Sequence, residues 1–435
     1  MRQIADLHIH SRFSRACSGD LTLANLDRIG RTKGVDIIAT GDFTQPDWFG
    51  ELRGQLAPAP ARARKKGELY IFSVAPDEKV KFILSAEVAL IFKKFDRVRR
   101  IHLVAHAPDL DAAAALNAAL AAKYNIHSDG RPILGMSAED FCGLCFSVNP
   151  HFIIYPAHIW TPWFSVFGSK SGFDRLEECF GEYTGRIRAY ETGLSSDPAM
   201  NWRLSALDDL TRLSNSDAHS LPNIGREANV FELTDVSYDE LYDVIDHHQD
   251  GQDERSAAAA RDKHKSYLDY TLEFYPEEGM YHYDGHRACG VCLAPEASAQ
   301  HRGRCPVCHR PLTIGVLSRV AELADRPAGY QLASAPGFRR LVELDKIIAE
   351  TLGVKSRSAA KVKREYERLF GALGTEMAIL LDRTIDEIKA VSPASAEGIR
   401  RVRAEEVNIQ PGFDGQYGQV KIFTAEEKHR QSSLL

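Results

Sequence analysis

The chain has 435 residues, 44% of them hydrophobic, and a formal charge of −6, which is enough for two domains and a large core. An acidic total excludes a protein that is basic all over, but it leaves room for a local basic stripe. No apolar run approaches the roughly 18 residues needed to span a bilayer, and no charged-then-apolar leader precedes the first strand, so a cytoplasmic protein without membrane contact is expected.

Residues 4–9 alternate apolar and polar side chains as a strand does. Positions two apart on a strand share a face, so His8 and His10 can grip one ion or two adjacent ions. Residues 35–40 form a short apolar run of buried-strand type, with Asp42 just past its end. Residues 82–87 repeat that arrangement and deliver Glu87 at an expected strand end. Residues 100–106 carry His102 and His106, residues 152–158 end on His158, and residues 213–219 supply a second alternating pair, Asp217 and His219. Apolar runs that end in His, Asp or Glu and are separated by helix-length stretches suit a barrel of parallel strands pointing ligands into one mouth. A histidine inside an apolar run is usually a satisfied core residue, and His106 is read that way.

Residues 1–235 hold every barrel motif and form the expected catalytic domain. Residues 236–270 read as a helix from 238 to 246 followed by a charged, alanine-rich linker at 250–263. Residues 271–435 contain Cys289-x2-Cys292-x12-Cys305-x2-Cys308, four of the eight cysteines. That is metal spacing, and one structural zinc is expected to fold a segment poor in core residues. Cys142 and Cys145 also sit two residues apart, but without a second pair nearby they read as buried structural thiols. Helical periodicity returns at 341–352, 359–373 and 375–381, and the chain closes on a glycine-rich turn and a strand at 411–423. Basic runs at 62–66, 93–100 and 355–364 are either solvated faces or phosphate contacts.

Taken together, these segments resemble the PHP (polymerase and histidinol phosphatase) phosphoesterase superfamily and, within it, the endonuclease Q family. The resemblance is carried by PAHIWTPW at 156–163, ETGLSSDPAMN at 191–201, SDAHS at 216–220 with GRE at 225–227, and YHYDGHR at 281–287. It runs from the start of the chain to about residue 424. It implies a distorted (βα)7-type PHP barrel followed by a mainly helical, zinc-binding C-terminal domain. Two or three divalent ions, Zn, Mg or Mn, would be held by His8, His10, Asp42, Glu87, His102, His158, Asp217 and His219. Of these, Glu87, Asp217, His8 and His158 are expected to carry catalysis, with Glu87 as the bridge. Three dications against three carboxylates leave a site attractive to phosphate, and a hydroxide held by the ions would be the nucleophile. Many superfamily members have Asp-His where this chain has Gly41-Asp42, and they carry a further ligand where this chain has residues 14–17. Either one ion is held less tightly or Cys17 substitutes.

The family's activity is hydrolysis 5′ to uracil, hypoxanthine, xanthine or an abasic site in DNA, leaving 3′-hydroxyl and 5′-phosphate ends. Such an enzyme must unstack the damaged nucleotide, and Trp160, Trp163, Phe164 and Phe167 are candidates for a wedge or for packing at the mouth. The zinc domain would clamp the duplex or complete the base pocket, or serve as a structural staple for the C-terminal half. The expected partner is damaged DNA, with a sliding clamp as a candidate recruiter, for a monomer associated with the nucleoid. The rival readings are a phosphatase of small phosphomonoesters and a non-catalytic DNA-binding module. No Gly-x4-Gly-Lys-Ser/Thr loop is present for ATP-driven unwinding.

Overall fold

The computed structural model describes residues 1–62, 66–246, 265–424 and 427. The expected linker at 250–263 and the middle of the basic run at 62–66 lie outside the described residues. An eight-stranded mixed sheet runs in the order Gly337–Arg340, Tyr267–Glu273, Ala228–Glu232, Arg2–Asp6, Ile37–Ala39, Lys81–Ile83, Tyr70–Phe72, Leu56–Pro58. A four-stranded sheet follows the order Ile133–Leu134, Ser85–Lys94, Arg97–His106, Ile153–Pro156, and Ala189–Glu191 pairs with Thr211–Leu213.

The expectation of parallel strands throughout is corrected. Arg2–Asp6, Ile37–Ala39 and Lys81–Ile83 are parallel neighbours, as are Ala189–Glu191 and Thr211–Leu213. Ser85–Lys94 and Arg97–His106, by contrast, form an antiparallel hairpin, and Ile153–Pro156 joins it antiparallel. The reason is the connection: Phe95 and Asp96 both take positive φ, 53° and 56°, the two-residue turn that matches strand twist. A parallel pair needs a crossover of a dozen or more residues, and none is available there.

Most of the chain shares one hydrophobic core that reaches from Ile4 through Phe82 and Tyr155 to Ile399 and Phe423. Strand Tyr267–Glu273 adds to the main sheet against Ala228–Glu232, so the chain beyond the linker returns to the sheet before it leaves for the cysteine segment. That segment has a separate core of only Val291, Cys305 and Leu312, too little apolar surface to hold a fold without a staple. Helices Leu344–Thr351, Ala360–Leu373, Ile385–Val391 and Pro393–Arg403 form the C-terminal helical part. Ile385–Val391 opens on a capping box between Thr384 and Glu387. Strand Gln419–Lys421 pairs with Asn408–Gln410, in line with the turn and strand read from the last residues. Cys142, Cys145 and Cys179 are buried in the main core.

Candidate metal centre

The two alternating segments lie side by side. Asn215 Oδ1 accepts from Leu7 N at 2.9 Å, Asp217 N donates to His8 O at 2.9 Å, and His10 N donates to Ala218 O at 3.0 Å. Buried Asp6 fastens the same seam by accepting from Ser216 N and Gly225 N. His8 and His10 thus sit just beyond strand Arg2–Asp6 rather than inside it, still alternating, and Ile9 bridges Ala218 between them. Glu87 is the third residue of strand Ser85–Lys94, not the end of a strand as expected, and His102 lies within Arg97–His106.

These side chains converge into two groups that share Glu87: His8, His10, Glu87 and Asp217 on one side, and Glu87, His102 and His158 on the other, each with donor atoms within 4.8 Å of one another. Glu87 Oε2 is 3.3 Å from His10 Nε2 and 3.9 Å from His8 Nε2. Its other oxygen is 2.7 Å from His102 Nδ1 and 3.2 Å from His158 Nε2. Asp217 Oδ1 is 3.1 Å from His10 Nε2. His8 Nε2, His10 Nε2 and Asp217 Oδ1 are all buried, and none has a hydrogen-bond partner. Buried polar atoms are rarely left so. Three of them gathered with Glu87 within 4.8 Å form a donor set suited to metal binding.

The electrostatics agree. Burial opposes charge on His8, but Glu191, Glu87 and Asp217 outweigh it and raise the imidazole to about 9. His10 is likewise raised well above its ordinary value against burial, by Asp42, Asp217 and Glu87. Glu87 is held well below the carboxylate range, despite burial, by His102, Arg131 and His10. The carboxylates thus favour positive charge on His8 and His10, whereas burial lowers His102 to about 4. Asp42, His158 and Asp217 all adopt positive φ, 49°, 29° and 46°, a cost of order 1 kcal/mol or more each that clusters at functional sites. Gly41, at φ 65°, permits the approach of this turn: a Cβ there would lie 2.6 Å from Ile9 O.

Asp42 and His219 are not in either group. Asp42 accepts from His10 Nδ1 at 3.0 Å on one oxygen, and from Ser11 N, Ser11 Oγ and Ser14 Oγ on the other. In this arrangement it sits behind His10 and fixes the orientation of that ring. His219 lays its ring 4.5 Å from that of His10 and donates Nδ1–H to Asp217 O. Cys17 is half-buried, its thiol pushed up to about 12 by burial. His106 is a core residue, its Nε2 3.1 Å from Tyr155 Oη, and burial lowers it to about 3. Of the four aromatics, Trp160 and Phe167 are buried and pack on each other, with Trp160 Nε1 donating to Asn201. Phe164 lies on His102, and Trp163, 38% exposed, meets Tyr281 edge-on.

In the cysteine segment the group brought together is His286, Cys289, Cys305 and Cys308; Cys292 of the expected four-cysteine set is not in that group. Register is the reason. Across the hairpin Asp284–His286 with Val291–Leu293, Cys292 faces Gly285 while His286 faces Val291, so His286 and Cys292 point to opposite faces. Two turns of the same form result, each with donors three residues apart followed by a positive φ: His286 and Cys289 before Gly290 at 65°, Cys305 and Cys308 before His309 at 59°. The 3.7 Å between His286 Nδ1 and Cys308 Sγ is close to the roughly 3.5 Å that would separate two ligands of a tetrahedral ion with bonds of about 2.0 and 2.3 Å.

Sequence reading missed three residues. His286-x2-Cys289 repeats the spacing of Cys305-x2-Cys308 and was legible. Glu191 closes the apolar strand Ala189–Glu191 as other ligands close theirs. It accepts from His8 Nδ1 at 3.1 Å, Asn215 Nδ2 at 2.9 Å and His158 N at 2.8 Å. Arg131, 2.8 Å from Glu87 Oε2, has no signal in its neighbours.

Comparison with known proteins fits this geometry. The family described as the MJ0043 C-terminal domain matches residues 343–406. Protein MJ0043 of Methanocaldococcus jannaschii is 31% identical over 265 residues, and the match spans 60% of this chain but only 31% of that protein. YqxK of Bacillus subtilis is 28% identical, with 96% of this chain and 98% of that protein covered. Among solved structures, the lesion-specific endonuclease PfuEndoQ of Pyrococcus furiosus superposes with a TM-score of 0.81 at 28% identity over 99% of both chains. Endonuclease Q bound to a 27-mer duplex with an abasic lesion at its active site gives 0.81 at 29% identity over 98% of both. The resemblance to endonuclease Q thus holds over the whole length of the chain and in its fold. Among the described residues no helix is long and apolar enough to cross a membrane.

Proposed function

We propose that this protein is a DNA-repair endonuclease that hydrolyses the phosphodiester 5′ to a deaminated base or abasic site. The observation that carries the reading is the set of orphaned donors, His8 Nε2, His10 Nε2 and Asp217 Oδ1, gathered around Glu87 in a chain that superposes end to end on a lesion-specific endonuclease. His8, His10, Glu87 and Asp217 would hold one ion, and Glu87, His102 and His158 a second. Bound there, divalent ions would supply Lewis-acid charge to the phosphate oxygens and acidify an attacking water.

The protein's own residues prepare that site. Glu191 fixes the His8 tautomer by accepting from Nδ1, which leaves the Nε2 lone pair facing the cluster; Asp42 does the same for His10. Phe164 covers His102 and excludes water from one side. Trp163 with Tyr281 links the loop after His158 to the segment that leads into the cysteines, where an unstacked nucleotide would find a wall. Lys355, Lys361, Lys363 and Arg364 are exposed without ion pairs among the described residues and suit a duplex backbone, whereas Lys94 and Arg357 of the basic runs are spent on Glu139 and Asp345. One zinc at His286, Cys289, Cys305 and Cys308 would hold the segment that carries Tyr281.

The test is incubation of the protein and a divalent metal with duplexes carrying one uracil, hypoxanthine or abasic site, beside p-nitrophenyl phosphate. A single nick 5′ to the lesion, with 3′-hydroxyl and 5′-phosphate ends, is expected. Hydrolysis of the small ester with every duplex intact would reject the reading.

A further inference from the structure

We propose that Arg131 is a catalytic residue that binds a non-bridging oxygen of a phosphate held at the Glu87 cluster. As a statement about DNA cleavage this rests on the function above; as a statement about phosphate it stands on the site alone.

Arg131 is held over the cluster by a purpose-shaped loop. Asp129 Oδ1 accepts from Arg131 N at 3.1 Å and Arg15 N at 3.3 Å, and Gly130 N donates to Phe13 O at 3.0 Å. Gly130 presses so closely on the turn behind His10 that a Cβ there would lie 2.4 Å from both Asp42 Oδ2 and Ser14 Oγ. Any larger residue would lift the loop. The guanidinium that follows is therefore placed by the same Asp42 that orients His10.

Arg131 Nη1 donates to Glu87 Oε2 at 2.8 Å, the oxygen that faces His8 and His10. Its charge also interacts with Asp217. Burial of the Glu87 carboxylate requires a charged partner, which Nη1 alone supplies. This side chain remains 29% exposed while Glu87 is fully buried, and its Nε and Nη2 make no hydrogen bond with any described residue. A planar fork with one arm on the central carboxylate and the others open at the mouth is the arrangement that recognises a phosphate oxygen. Such a donor acts where negative charge grows during displacement, and its loss typically lowers turnover by about 100-fold or more.

The test uses the metal-loaded full chain, with Arg131→Ala and Arg131→Lys beside wild type and metal content measured for each. Calorimetric titration with inorganic phosphate is expected to show at least about a 10-fold weaker affinity in Arg131→Ala and partial recovery in Arg131→Lys, at unchanged metal content. With abasic duplex carrying a stereopure phosphorothioate at the scissile position, wild type should discriminate between the two isomers. Arg131→Ala should lose that discrimination and about 100-fold in kcat, with KM within a few-fold. Wild-type phosphate affinity in Arg131→Ala, or a loss that tracks loss of metal, would overturn the proposal. Arg131-dependent phosphate binding by a protein that nicks no lesion would reject the DNA reading and leave Arg131 standing.

Discussion

Glu191 is the carboxylate on which both metal groups lean, and Glu191→Gln probes it without changing its size. Its two oxygens accept from three buried donors: Asn215 Nδ2 on Oε1, His158 N on Oε2, and His8 Nδ1, 3.1 Å from both. A glutamine has one acceptor oxygen. Whichever end becomes the amide nitrogen then opposes either Asn215 or His158 N, and a buried donor left unpaired costs about 1–3 kcal/mol. His8 meanwhile loses the charged partner that makes its Nε2 basic. Removing an outer carboxylate of this type lowers metal affinity by about 10–100-fold, about 1.4–2.8 kcal/mol. The assay is competition for zinc against a chromophoric chelator, followed by nicking at rising metal concentration. Weaker binding and activity partly restored by excess metal are expected. A Glu191→Gln protein that binds metal within two-fold of wild type would refute the reasoning.

Asp217→Asn and His8→Ala should each abolish nicking, measured on an abasic duplex, because each removes an atom from the cluster; near-wild-type rates in either would remove it from the site. In the cysteine segment, His286→Ala or Cys305→Ser should lower zinc content and loosen the C-terminal half in limited proteolysis, whereas Cys292→Ser should retain one zinc. Retention in His286→Ala with loss in Cys292→Ser would restore the four-cysteine set. Glu273 is buried, and burial raises its carboxyl from 4.5 to about 7 beside Glu227, which is raised by the same cause. Because the folded state favours the neutral acid, the stability Glu273 contributes is fully present below pH 4.5 and is lost as pH rises through about 7. Glu273→Gln should therefore match wild type near pH 4.5 and exceed it at pH 8 by up to about 3 kcal/mol in urea unfolding; equal stability at pH 8 would contradict the buried-acid account.

The histidines and carboxylates were legible because metal chemistry restricts residue type and strand geometry restricts spacing: His8 with His10 and Asp217 with His219 announce themselves locally. So do the hydrophobic periods behind Ala360–Leu373 and the cysteine spacing that marks a metal. What each ligand-type residue does was not legible. Asp42 and Glu87 both follow an apolar run, yet Asp42 ends up behind His10, where Gly41 lets its turn approach Ile9, and Glu87 lies between the two groups because the Phe95-Asp96 turn folds His102 back beside its strand, an antiparallel hairpin where a crossover was expected. His286 rather than Cys292 lies in the grouped donors because of a hairpin register, a pairing between strands that spacing along one strand does not encode. Arg131 reaches the centre only because Gly130 can press against Asp42, 88 residues earlier in the chain. Residue types and local periodicity decide which chemistry is possible and which segments can carry it. Long-range packing, through register and backbone approach, decides which atoms meet.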